Sequence, residues 1–135
     1  MTKKELSQLY YLKQEIKLQQ MQLAELETKA TNCSSTITGL PSNGLIEDQV
    51  GTYVAQIVDL KESLRQNIKE CIRELVRLKE YISSIDDSLI RQIILYRYES
   101  NLTWQQIAKK IGGNNSAESL RKRLYRHFNK FTIEN

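Results

Sequence analysis

Residues 116–131, SAESLRKRLYRHFNKF, hold five bases (Arg121, Lys122, Arg123, Arg126 and Lys130) against one acid, Glu118. At helical spacing Leu120, Leu124, Phe128 and Phe131 share one face, and Glu118, Ser119, Lys122, Arg126 and Asn129 lie on the opposite one. Such a helix can turn its apolar edge inward and hold a polyanion with the other. Guanidinium, ammonium and hydroxyl groups are the types that bond phosphates and the acceptors on base edges. Ser119, Lys122 and Arg126, with Asn115 near the helix start, are the candidates for base edges. Arg121, Arg123, Lys130 and Thr103 are the candidates for phosphates. Arg121 and Arg123 flank the apolar stripe on either side, where long stems can lie along the protein while the charged heads reach outward. Tyr125 falls between flank and outward face, placed either to donate to a phosphate or to pack on its neighbours.

Other reactive residue types are sparse. The single histidine, His127, lies close to the apolar stripe, which favours a partly buried, hydrogen-bonded role over catalysis or metal binding. Cys33 and Cys71 make neither a metal pattern nor a disulfide framework, and reduced thiols are expected. No phosphate-cradling glycine loop and no nucleophile beside a histidine is found. The expectation is a non-enzyme with neither metal nor cofactor. Trp104 reads as a core or hinge residue, because a base-stacking platform usually needs several exposed aromatics. Tyr96, Arg97 and Tyr98 read as helix packing, with Arg97 a further candidate for a phosphate.

Charge divides the chain unevenly. Residues 1–85 carry 11 Lys and Arg against 11 Asp and Glu, while 86–135 carry 9 against 5, so the net charge of +4 lies in the last 50 residues. A polyanion is therefore attracted to one end only. Mean hydropathy is -0.51, no apolar run approaches the roughly 18 residues of a membrane span, and the start MTKKELSQ has no signal-peptide core. A cytoplasmic protein without a membrane partner is expected.

The elements that position the basic helix read as all-α. From Val50 to Ile85 the residues Val50, Val54, Ile57, Lys61, Leu64, Ile68, Cys71, Leu75, Leu78, Ile82 and Ile85 follow alternating steps of four and three, with Lys61 the polar exception. That repeat predicts a narrow coiled-coil seam. Leu9, Leu12, Ile16, Leu23 and Leu26 show the same habit, with Gln19 as the polar member. Between them 31–48, TNCSSTITGLPSNGLIED, contains Pro41 and the turn pair Asn43-Gly44, predicting a loop at about 31–47 with helix ends near Lys29 and Glu47. Residues 1–85 should thus form a long antiparallel helical hairpin. At 1.5 Å per residue its arms would be roughly 40 and 60 Å long, leaving part of the second seam for a partner chain. A homodimer through Val50, Val54, Ile57, Leu64, Ile68, Leu75, Leu78 and Ile82 is the expectation. Cys71 sits on that seam as a small buried hydrophobe.

Residues 86–135 read as a three-helix helix-turn-helix domain. Its first helix, about Asp86 to Tyr98, starts on acids and carries Leu89, Ile90, Ile93 and Ile94; Asn101 follows as a stop. Thr103 with Gln106 three residues on predicts a reciprocal cap and a short helix to Ile111, facing Ile107, Ala108 and Ile111 inward. Gly112, Gly113, Asn114 and Asn115 predict the turn. Asn115 or Ser116 should cap the third helix, Asn115 having Glu118 at the reciprocal distance.

The run ILYRYESNLTWQQIAKKIGG followed by SLRKRLYRHFNKF resembles region 4 of the bacterial sigma-70 factors, in which an apolar helix precedes a hydroxyl-aromatic-x-x-Ile-Ala helix and a basic recognition helix. One or two extra residues stand in the turn, and no stretch resembles sigma region 2. The whole order, with Leu40-Pro41 and Leu95-Tyr96-Arg97-Tyr98 as landmarks, is similar to small phage and prophage proteins related to the ArpU-type late transcription regulators. The resemblance implies a sequence-specific regulator bound to double-stranded DNA, with host RNA polymerase as a possible partner. Two alternatives stay open: a packaging component like phage small terminase subunits, and an adaptor whose basic end binds RNA polymerase or another regulator.

Overall fold

The computed structural model describes the backbone of residues 1–35 and 45–134 and the side chains of 1–33 and 48–130. The chain is all-helical, with no strand among the described residues. Its elements are α1 (Lys3–Ser35), α2 (Leu45–Ser83), α3 (Ser88–Ile94) continued by a π-helical turn (Leu95–Glu99), α4 (Trp104–Ile111) and α5 (Ala117–Glu134). Among the described residues none of these helices is long and apolar enough to cross a membrane. Two compact units divide the chain: Met1–Lys13 with Cys71–Asn135, and Gln14–Glu70. The break expected after Ile85 falls inside the first unit, between α2 and α3.

In the Gln14–Glu70 unit, cross-links pair rising positions on α1 with falling positions on α2. Gln19, buried, donates from Nε2 to Ser63 Oγ (3.0 Å) and accepts from Asn67 Nδ2 (2.9 Å), which also reaches Glu15 (3.1 Å). Lys61 and Glu27 are 3.8 Å apart, and the Cys33 thiol donates to Gln49 Oε1 (3.5 Å). A buried amide with both ends bonded fixes register, because any slip would leave it unpaired.

Both long helices reach further into the expected loop than their composition predicts, ending at Ser35 and beginning at Leu45. The hydroxyls of Thr28, Thr31 and Thr52 donate to the carbonyls of Ala24, Glu27 and Asp48 one turn back, so these residues are satisfied without leaving the helix. Pro41 and the Asn43-Gly44 turn lie outside the described residues. With 33 and 39 residues the two helices measure about 50 and 58 Å, against the roughly 40 and 60 Å expected. Of the expected seam, Leu64, Cys71, Leu78, Ile82 and Ile85 are buried by the chain itself, Val50, Ile57 and Leu75 are half-buried, and Val54 (50%) and Ile68 (37%) are exposed.

The other unit holds the larger core. Leu6 and Leu9 of α1, Leu78 and Ile82 of α2, Ile85, Ile90, Ile93, Ile94, Tyr98, Ile107, Leu120, Leu124 and Phe128 are all buried. Asp87 caps α3, its carboxylate accepting the N–H groups of Leu89 (2.9 Å) and Ile90 (3.4 Å). The following π turn closes with Ser100 N–H donating to Leu95 C=O (3.1 Å), and Asn101 ends it in the left-handed region at φ 54°. Thr103 and Gln106 form the expected reciprocal cap of α4, at 2.9 and 3.2 Å.

Gly112, at φ 71° and ψ -158°, ends α4 in a backbone conformation open essentially to glycine, and Gly113 follows at φ 67°. No atom lies within 4 Å of a Cβ built on Gly112, so the constraint there is backbone strain alone. Gly112→Ala is expected to lower stability by about 1–3 kcal/mol. A urea midpoint unchanged from the wild type would show that the turn relaxes without cost.

Candidate nucleic-acid interface

The outward face of α5 follows from its inward one. Leu120, Leu124 and Phe128 are buried, which leaves Glu118, Ser119, Lys122, Arg126 and Asn129 exposed on the opposite side. α5 packs against α3 and α4, so the apolar edge is used up within the unit. Phe131, the fourth residue of the expected stripe, has its side chain outside the described residues.

Of the two caps expected for α5, Asn115 and Ser116, the structure uses Ser116, and the Asn115–Glu118 pair does not form. Ser116 Oγ accepts the Ser119 N–H (3.1 Å) while Ser119 Oγ accepts the Ser116 N–H (3.0 Å) and donates to Ser116 C=O (2.9 Å). Asn115 instead donates from Nδ2 to Gly112 C=O (3.1 Å), closing the turn. Glu118 is drawn to the cations one turn on, Arg121 at 2.8 Å and Lys122 at 3.9 Å, and Arg121 holds its carboxyl below the usual range. A short serine bonds its neighbour's backbone without ordering a long side chain, whereas the glutamate has charged partners to hand. Ser119 reaches a base only by releasing its hydroxyl from Ser116.

The two flanking arginines sit as their spacing predicts, on opposite sides of the buried stripe. Arg123 lies 3.8 Å from Asp87 at the start of α3. Arg121 lies on the side reached by the start of α1, where the Lys3 ammonium stands 4.9 Å from the centroid of the exposed Tyr125 ring. Lys130 and Thr103 are exposed, Thr103 with its oxygen already accepting from Gln106. The turn-side lysines Lys109 and Lys110 of α4 are exposed as well, and sequence reasoning passed over them.

Arg97 has a packing role. Its Nη1 donates to Leu102 C=O (3.0 Å), and its guanidinium carbon lies 4.7 Å from the Tyr10 ring centroid and 5.2 Å from that of Trp104. Lys13 Nζ donates to Glu99 C=O close by. The start of α1 thus joins the C-terminal helices, and no local pattern announces it. Lys3, Tyr10 and Tyr11 stand beside α5, off its outward face, and sequence reasoning missed that neighbourhood.

The chain matches no family model, no curated protein and no solved structure.

His127 is half-buried, with Nε2 3.1 Å from the Tyr81 hydroxyl. Burial lowers its pKa, opposed by the Asp87 charge and helped by Lys130. The neutral ring shares a hydrogen bond with the Tyr81 hydroxyl, the tautomer deciding which of the two donates. Between its lowered folded pKa and about 6.5 the unfolded chain binds more protons, so stability falls as pH drops through that window and levels off below it. Glu5, Glu62 (held to about 2 by Arg65 and Gln66) and Glu118 all titrate below the usual carboxylate value, outside that window. His127→Gln should flatten the melting temperature between pH 7.5 and 5.5 relative to wild type. Equal losses in both proteins would assign the pH dependence elsewhere.

Proposed function

We propose that the chain is a non-enzymatic, sequence-specific DNA-binding transcription regulator. In this reading α1 and α2 form a helical hairpin, α3 to α5 form a helix-turn-helix, and α5 enters the major groove. The observation that carries the reading is the two-sided build of α5: Leu120, Leu124 and Phe128 are buried while Lys122, Arg126 and Asn129 stand exposed opposite them, with Arg121 and Arg123 on the flanks. A helix with this division presents base-reading groups at its crest and phosphate-binding groups at both shoulders. The resemblance to sigma-70 region 4 and to ArpU-type regulators points the same way, toward late-gene control in a phage or prophage.

Arg126 and Lys122 are assigned to base edges, and Arg123 and Lys130 to phosphates. Both Glu118 and Asp87 can release their exposed arginines to phosphate, since surface ion pairs hold weakly. Exposed Val54, Val58, Ile72 and Val76 on α2 favour self-association, and a dimer would offer two reading helices to a near-palindromic site.

Binding titrations on matched and scrambled duplexes test the assignment. Arg126→Ala should cost about 1–3 kcal/mol on the matched site and little on the scrambled one, whereas Arg123→Ala should weaken both alike and reduce the salt slope by about 1. Equal losses on every duplex for Arg126→Ala would remove the base-reading role, and affinity indifferent to salt would remove the DNA reading. Light scattering separates the packaging alternative, which requires a ring of many subunits. An adaptor would retain a polymerase pull-down while shifting no duplex.

A further inference from the structure

A cavity of about 440 Å³ opens beside α5 in the first unit, between the start of α1, the π turn and the start of α4. Its size is that of a site for a small molecule. Lys3, Arg97, Arg121 and Lys122 line it, and no carboxylate does among the described residues. Six aromatic side chains also contribute to the wall. Two of them, Tyr11 (63% exposed) and Tyr125 (54%), leave much of their surface open to solvent, which no packing within the unit explains. Tyr11 makes an edge contact with Tyr10, at 5.6 Å and 83°, and Lys3 lies over Tyr125.

We propose that this cleft binds a nucleotide, with the base against the Tyr11 and Tyr125 rings and the phosphates on Lys3, Lys122 and Arg121. Aromatic faces accept any base, and a cluster of cations at one end of them accepts the charge it carries. Arg97 is spoken for by Tyr10, Trp104 and Leu102, so it sets the wall and does not grip the ligand. Glu118 holds Arg121 at 2.8 Å and must be displaced, which favours a polyphosphate over a single phosphate. Because Lys122 and Arg121 serve both ligands, a bound nucleotide competes with duplex DNA; this consequence rests on the DNA reading above, while the cleft itself does not.

Trp104 is the only tryptophan of the chain and lines the cleft, so its fluorescence reports occupancy directly. Calorimetry and Trp104 fluorescence on the full chain are run with ATP, with inorganic tripolyphosphate, and with a short single-stranded oligothymidylate. ATP is expected to bind saturably and shift the fluorescence, and Tyr11→Ala and Lys3→Ala should each weaken it about tenfold while leaving duplex affinity intact. Arg126→Ala, outside the cleft, should lose duplex affinity and keep ATP. Tighter binding of oligothymidylate than of ATP supports the same site with a strand as the source of the nucleotide. Tripolyphosphate binding as tightly as ATP, no response to either nucleotide ligand, or indifference to Tyr11→Ala overturns the proposal. A wild type that binds ATP and no duplex sinks the DNA reading alone.

Discussion

One guanidinium ties together the elements on which the basic face depends. Arg97 lies over the rings of Tyr10 and Trp104 and donates to Leu102 C=O, the carbonyl just before the cap of α4. Each cation–ring contact contributes about 1 kcal/mol in a partly desolvated setting, and the hydrogen bond fixes the entry to α4. The π turn makes this possible. The wider backbone ring spans Leu95–Glu99 and carries Arg97 beside Tyr10 and Trp104 while Tyr98 is buried. α1, α3 and α4 are held around one charge, and α5 packs on α3 and α4.

That arrangement gives α5 two unlike shoulders. On one, Arg123 meets Asp87, whose other oxygen caps α3; on the other, Arg121 meets Glu118 beside the cleft with Lys3 and Tyr125. Each acid neutralises one cation. Exposed pairs of this kind contribute little to stability. Asp87 differs from Glu118 in that it also accepts the backbone N–H groups of Leu89 and Ile90.

What the sequence made legible was local. The stripe Leu120, Leu124, Phe128, the Thr103–Gln106 cap, the stop at Asn101 and the glycines at the end of α4 are each set by residues within a few positions of one another, and each stands as its spacing predicts. Competition between near-equal local options was harder to read. Of Asn115 and Ser116, both offered as caps, Ser116 is used with Ser119, while Glu118 pairs with Arg121 and Lys122 one turn on. Thr31, which reads as a loop residue, stays helical with its hydroxyl donating to Glu27 C=O in the preceding turn. Least legible was the company of Trp104. Tyr10 and Tyr11 are more than ninety positions away in sequence, and no periodicity encodes a contact at that separation. Judged with its neighbours in the chain alone, Trp104 lacks the aromatic partners that the fold supplies.

The two units are unequal in what holds them. Among the described residues of Gln14–Glu70 only Leu64 and Gln19 are buried, and Leu18, Met21, Val54 and Val58 are exposed. A pair of helices with so little apolar surface removed from water gains register from its Gln19, Ser63 and Asn67 layer more than it gains stability, since a satisfied buried amide roughly offsets its own desolvation. The unit that carries the basic helix buries nearly all of the remaining core. Local opening should therefore begin in Gln14–Glu70 and leave the crest of α5 in place, because amide protection follows buried apolar contact. The cationic face is thus carried by the better-packed part of the chain, and the thinner unit leaves apolar residues such as Leu18, Met21, Val54 and Val58 exposed.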